Sequence, residues 1–502
     1  MSMSATYSII NSAFLSNAAQ SAVISSNISN ANATGYSREI ANVITNSCGG
    51  SEVASVTREA NEALLEQVNA STSQAASQQA LATGLARLAA TVSDSSSSSS
   101  TSGSTENGNS PSAMLANLQD ALTTYETSPN SASAGQAVVT AADNLASSLN
   151  SGSATVQQVR EQADADMASS VSTINSLLNQ YSQVNATIVS GLASGANVNS
   201  AEDTRDTILT ELSKQIGIST VADPDGSTSI YTDSGVTLFD VRARTLSFTP
   251  TQTYTAGSTY AASTTGNDVT VDGVPITGAS SPMPIQSGAL AGLANLRDNV
   301  APQYQAQLDQ IAGSLINAFG ESDQSGAGLA SLPGLFTYAG ATSLPTATGA
   351  TGLAAAIEVN SAVDPTQGGD VSLLQNGGIN GSAYVYNTTG AAGYTGRIQQ
   401  MVAATTSTQS FDPNVGLASS DTLSDYANAS VSWLQAQNQQ ATNQADYQNT
   451  LVTQATAALS NATGVSLDTE MTNMLSIENS YTTTAKLLTT VNDMFTALLD
   501  AA

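Results

Sequence analysis

Histidine is absent from this chain, and cysteine occurs once, as Cys48, among 502 residues. Without histidine there can be no Ser-His-Asp triad, no histidine base and no ordinary zinc site. A single cysteine allows no intramolecular disulfide. Activating that thiol would need cationic neighbours, so Cys48 reads as a small residue near a loop. Cations are scarce too: 11 Lys plus Arg stand against 39 Asp plus Glu, for a net charge of −28. Binding DNA, RNA or an anionic membrane face needs clustered Lys and Arg, which this balance argues against. No apolar run approaches the roughly 20 residues that span a bilayer, so no membrane insertion is expected. The first 37 residues carry no charged side chain, and Arg38 is the first cation. With no basic start and no solid apolar block, no cleavable signal is expected. The chain therefore reads as cytosolic, or as exported by a route that ignores Sec-type signals.

What is present is amphipathic helix, most tellingly at the two ends. Leu467, Met471, Met474, Tyr481, Leu488, Phe495 and Leu499 recur at sums of three and four residues, one stripe on a helix. Ile10, Phe14, Ile24 and Ile28 do the same near the start, with Asn17 and Ser21 in the intervening slots. The remaining faces are Ser, Thr, Asn and Ala. So thin a stripe does not hold a lone helix together, and the natural partners are the other end and neighbouring copies.

Between the ends the period of the pattern changes several times. A helix over 7–30 stops at Asn27–Glu39, where Asn30, Asn32 and Gly35 tolerate a turn. A strand-like EIANVIT and a turn at Gly49-Gly50 follow. A second helical tract begins near Arg58, carries Leu64, Leu65, Val68, Leu81, Leu85 and Leu88, and ends in a Ser-rich run at 93–105 that reads as a flexible surface loop. Helix is expected from about 111 to 194. Within it Val156, Val159, Ala163, Met167, Val171, Ile174, Leu178, Tyr181 and Ile188 keep helical spacing for roughly 50 Å. Such a rod suits a bundle or a coiled-coil shaft. A further helix runs from Arg205 to Ile218.

From 219 to 287 short alternating runs are broken at Asp225-Gly226, Ser234-Gly235 and Asp272-Gly273, predicting an antiparallel β domain. Asp223 and Asp225 would suit a calcium loop only with an acid at the twelfth position, which is Ser234, so a turn is expected. Helix returns over 288–320, with Pro302 as a kink or restart. Residues 331–394 read as a second β-rich or irregular insert, with weak strands at AAAIEVN and YVYN. Helices follow over 395–408, 420–461 and 466–500. Trp433, the one tryptophan, is expected in the core, and Lys486 on the surface.

The fold class is therefore mostly α with β inserts: paired terminal helices, a long helical bundle layer and projecting antiparallel β domains. The expected division is 1–57 with 462–502 as a terminal assembly domain. Residues 58–218 with 288–330 and 395–461 form a long-helix bundle, and 219–287 and 331–394 are inserts.

Asn-Ile-Ser-Asn-Ala-Asn-Ala-Thr-Gly-Tyr-Ser-Arg-Glu (27–39) after an uncharged helix resembles the N-terminal signature of the bacterial flagellar rod, hook and hook-associated proteins. The closing stretch Thr463–Asp500 resembles the C-terminal signature of the same family. The GYSR form, RDTILTELSKQIGI at 205–218 and the stretch Gly288–Gly320 point to its hook-associated members. One departure is Thr34, where the family usually has proline; Gly35 still permits the loop. The resemblance implies a structural subunit at the hook–filament junction, exported unfolded by the flagellar type III apparatus with an export chaperone. It implies a homo-oligomeric helical ring touching the hook protein and a second junction protein, with the middle domains facing outward. Its assembly residues would be Ile10, Phe14, Ile24, Ile28, Gly35, Tyr36 and Arg38 at one end and the stripe from Leu467 to Leu499 at the other. No cofactor or metal is implied. Two other classes compete: another axial component (hook protein or flagellin-like), and an exported carboxylate-pair glycosidase, for which no two acids share an evident cleft.

Overall fold

The computed structural model describes residues 3–47, 49–92, 108–251, 253–258, 267–279, 281–346 and 351–500. Cys48 and the serine run at 93–105 lie outside the described residues. The chain opens with α1 (Met3–Asn30), followed by an antiparallel hairpin of β1 (Glu39–Thr45) and β2 (Ser51–Arg58). Arg58 thus closes a strand rather than opening a helix. The next helix waits for Asn61, whose side chain caps it by accepting the Leu64 amide at 3.1 Å.

After α2 (Glu62–Ala89), the tract expected as one helix from 111 to 194 is two: α3 (Pro111–Thr127) and α4 (Ala132–Ser194). Pro129 lies in the break, and Ser131 caps the new helix by accepting the Ala134 amide. At 63 residues α4 is about 95 Å long. All nine of its anticipated stripe residues, from Val156 to Ile188, are buried. Gly195, at φ +72°, ends it in the left-handed cap.

Helix α5 (Asn199–Gln215) leads into two small antiparallel sheets. One is β3 (Ile218–Ala222), β4 (Thr228–Thr232) and β5 (Thr237–Phe239); the other is β6 (Leu246–Ser247), β7 (Thr270–Val271) and β8 (Val274–Pro275). Their turns fall where glycine allows positive φ, at Gly226, Gly235 and Asp272-Gly273. Both sheets share the helices' core, with Phe239 edge-on to Tyr181 of α4.

Helix α6 (Ala289–Asn295) passes through a π turn (Leu296–Val300) into α7 (Ala301–Ala318). Pro302 has no amide to give, and the Ala301 amide bonds five residues back to Leu296. A Cβ on Gly292 would strike the Ser77 carbonyl oxygen, so glycine here lets α6 lie directly on α2. Arg297 in the π turn is fully buried. Its guanidinium lies 2.6 Å from Asp164 and 2.7 Å from Asp298, and the Arg160 guanidinium stacks on Tyr254 at 4.3 Å. Burial would lower Arg297, but hydrogen bonds and charge from Asp298 and then Asp164 hold it above the ordinary arginine range.

In the second insert β9 (Phe336–Tyr338) pairs with β10 (Ile357–Val359), which follows a single turn, α8 (Leu353–Ala356). The AAA of the expected AAAIEVN strand is therefore helical. YVYN contributes only a bridge, from Val385 to Gly377. A short α9 (Leu373–Asn376), α10 (Gly396–Thr406) and the hairpin of β11 (Thr408–Ser410) with β12 (Ser420–Thr422) precede the last helices. These are α11 (Leu423–Thr463) and α12 (Leu467–Asp500). Trp433 is half-buried at the core margin rather than within it.

Candidate assembly interface

The two ends of the chain pair as antiparallel helices. Phe14 meets Tyr481 edge-on with ring centroids 4.9 Å apart, Asn17 donates to Ser480 at 3.1 Å, and the Ser21 hydroxyl donates to the Met474 sulfur at 3.6 Å. Ile10 and Ile24 are buried in this seam, and Phe14 and Ile28 are half-buried. A fully buried side chain of that size contributes about 1.5–3 kcal/mol, and half-burial correspondingly less.

The single stripe read along α12 divides. Met474 and Leu488 are half-buried and Tyr481 touches Phe14, whereas Leu467, Met471, Phe495 and Leu499 are exposed. Two geometric causes operate. Met471 and Leu475 lie about 60° and 100° around α12 from Met474, which turns them off the seam with α1, while Leu467 shares the Met474 face but stands at the first residue of α12. Phe495, Leu498 and Leu499 keep the right azimuth, but the register set by Phe14 and Tyr481 carries them past the first turn of α1. Exposures of 60% at Met471 and Leu475 and 63% at Leu499 leave an apolar surface on an arm only two helices thick. Leu15 and Tyr7 are similarly open on α1.

At the foot of the arm, the loop after α1 is fixed residue by residue. Gly35 has φ +80°, and a Cβ there would lie 2.5 Å from the Thr207 hydroxyl oxygen. The Tyr36 hydroxyl donates to the Asn27 side-chain oxygen at 2.8 Å, and burial raises its pKa. Asn27 also brackets Glu39, accepting from its amide and donating to its carbonyl, both at 2.9 Å. The Ser37 amide donates to Asp203 at 3.1 Å. Arg38 donates to Glu470 at 2.7 Å and to Glu59 at 3.3 Å, while its amide bonds the Thr463 carbonyl. The hydrogen bond to Glu470 raises the Arg38 pKa despite partial desolvation.

Gly35, Tyr36 and Arg38, expected at a contact between copies, therefore have their partners within the chain. Sequence reasoning missed Asn27, Glu59 and Glu470 in this cluster. The one cue was compositional: Arg38 is the first charge in the chain, and Glu470 is an acid placed near the start of an otherwise Ser/Thr-rich helix.

No group of three or more metal-ligating side chains occurs among the described residues. No helix among them is long and apolar enough to cross a membrane. A groove of about 430 Å3 between α3 and α4 is lined by Met114, Asn117, Ser133, Gln136, Thr140 and Asn144 together with alanines, without an ionisable group.

Comparison with known proteins gives a consistent result. Residues 101–336 match the model of the flagellar hook-associated protein FlgK helical domain, and residues 458–501 that of the flagellar basal body rod FlgEFG protein C-terminal region. Flagellar hook-associated protein 1 of Salmonella typhimurium is 24% identical over 326 residues, covering 62% of this chain and 55% of that protein. The Escherichia coli protein of the same name is 24% identical over 341 residues, covering 64% and 57%. The chain thus spans little more than half the length of these relatives. The flagellar hook junction protein FlgK from Burkholderia pseudomallei aligns with a TM-score of 0.40 at 24% identity, over 54% of this chain and 46% of that one. Across two family models and these curated proteins, the chain is similar to flagellar hook-associated protein 1, FlgK.

Proposed function

We propose that this chain is a structural subunit of the bacterial flagellum at the junction of hook and filament, assembled through its α1–α12 arm. The observation that carries the reading is the apolar surface left on α12 after it has paired with α1. Leu467, Met471, Leu475, Phe495 and Leu499 stay 45–63% exposed within the chain, and neighbouring copies of the same arm would cover them. A two-helix arm has little burial of its own, so order and association are coupled: each copy gains most when surrounded. The names of the relatives and the matched C-terminal region support the placement.

On this reading the partners are further copies in a helical ring, the hook protein on one side and a second hook-associated junction protein on the other. Export proceeds through the flagellar type III apparatus with its chaperone, and the final location is outside the cell. Residues 1–57 with 462–502 form the assembly domain, 58–218 with 288–330 and 395–461 the long-helix layer, and 219–287 and 331–394 the inserts that face outward. Within the assembly domain, Ile10, Phe14, Ile24, Ile28, Met474, Tyr481 and Leu488 pair the arm, and the open α12 residues face other copies. Gly35, Tyr36 and Arg38 brace its foot. The role is structural rather than catalytic.

The test is deletion of residues 467–502 in a motile host. Secretion of a folded middle with bare hooks is the expected picture. Filaments attached to hooks in that strain would overturn the proposal.

A further inference from the structure

The main hydrophobic core stops short of both ends of the chain. Its contiguous buried cluster begins at Ala82 and ends at Ala441, so no residue of α1, the β1–β2 hairpin or α12 belongs to it. The hairpin packs on α1, and α1 packs on α12, which makes hairpin and arm one unit. Two stretches of backbone join that unit to the body: residues 59–61 and residues 464–466.

Ion pairs and hydrogen bonds cross this joint. Arg58 at the end of the hairpin faces three carboxylates of α5, Glu202 at 2.9 Å, Asp203 at 3.0 Å and Asp206 at 2.5 Å. Burial would lower the Arg58 pKa, but Asp206 and then Glu202 and Asp203 outweigh it and raise it. Asn199 of α5 donates to the Glu39 carboxylate at 2.9 Å and to the Val56 carbonyl at 3.2 Å. Arg38 links Glu470 of the arm to Glu59 of the connecting segment.

We infer that this joint is an ionic elbow, in which Arg58 latches the arm-and-hairpin unit at one angle to the body and releases it to turn when its ion pairs are broken. Two features give it this character. A joint without an apolar core loses little buried area on turning, so the ion pairs are the main resistance. With Arg58 disengaged, Glu202, Asp203 and Asp206 present three like charges to the hairpin and disfavour the original seat. Salt screens so buried a contact pair weakly, so removal of the Arg58 charge is the direct way to open the latch. A joint closed by hydrophobic packing would not loosen on loss of one cation. Use of this freedom to fit arms into a packed tube rests on the proposed assembly function; the elbow is a property of the single chain.

The test uses the full-length monomer with Cys48→Ser and spin labels at Asn11→Cys on α1 and Gln74→Cys on α2, both exposed positions. Pulsed dipolar spectroscopy should give one narrow distance distribution when Arg58 is present. Arg58→Met should broaden it about twofold, with far-UV helix content unchanged. A distribution equally narrow in Arg58→Met overturns the elbow. Broadening accompanied by loss of helix also overturns it, since the arm would then be unravelling rather than turning. Failure of the assembly proposal would leave this result untouched.

Discussion

The ring of Phe14 meets the ring of Tyr481 edge-on at 4.9 Å, joining the two ends of the chain across more than 460 residues of sequence. The contact sits midway along the arm, between Ile10 and Ile24 on one helix and among half-buried residues of the other. Phe14→Ala removes an aromatic pair contributing about 0.5–1.5 kcal/mol beyond its burial. Amide exchange of the monomer should accelerate several-fold in α1 and α12 and stay unchanged in α4 and α7. Equal acceleration throughout would mean that arm and body unfold as one unit.

Arg297 binds two acids where almost no water reaches. Arg297→Met strips Asp164 and Asp298 of their hydrogen-bonded cation and leaves only the neighbouring Arg160 charge, a loss of about 3–5 kcal/mol for a buried pair stripped of one partner. Urea unfolding should show the midpoint drop with little change in slope. A midpoint shift below about 1 kcal/mol equivalent would place the network outside the cooperative core.

Gly292 tests packing by backbone alone. Gly292→Ala adds one carbon against the Ser77 carbonyl and must push α6 off α2, although alanine is the better helix former. Destabilisation of about 1–3 kcal/mol is expected from overpacking. Stabilisation would show that the crossing is looser than its geometry.

Asp309 supplies the pH dependence. It is buried on α7, accepts the Gly352 and Ala354 amides at 2.8 Å each and Gln305 at 3.0 Å, and burial pushes its pKa up to about 7. The folded chain then holds a proton that the unfolded chain has released. The stability this gives is fully present below the ordinary carboxylate range and is lost as pH rises from about 4 to 7. Wild type minus Asp309→Asn, compared by urea midpoint at pH 5 and pH 8, should become less favourable to wild type at the higher pH. A difference independent of pH would contradict the raised value.

Much of the fold was legible because helical spacing is a local signal. The buried stripe of α4, the glycine turns of the small sheets and the restart at Pro302 all depend on residues within a few positions of one another. The strand β2 was passed over although Glu52, Val53, Ala54, Ser55 and Val56 partly alternate, because the helical pattern after it was extended back to Arg58. The break at Pro129 was lost inside a long tract of good helix formers. The foot of the arm could not be read at all: Arg38 to Glu470 and Arg58 to Asp203 are separated by 432 and 145 residues, and nothing local marks such pairs. The stripe on α12 was visible, but its division into a paired and an open part depends on where α1 runs out. That is set by the register of two distant helices.

The open part of α12 is where the account is most exposed to test. Leu467, Met471 and Leu475 changed together to serine should leave the secreted monomer within about 0.5 kcal/mol of wild-type stability, as expected of exposed positions. Electron micrographs of a motile host carrying that variant should then show bare hooks without filaments. Normal numbers of attached filaments, with the variant present at the junction, would contradict the claim that this surface holds the copies together.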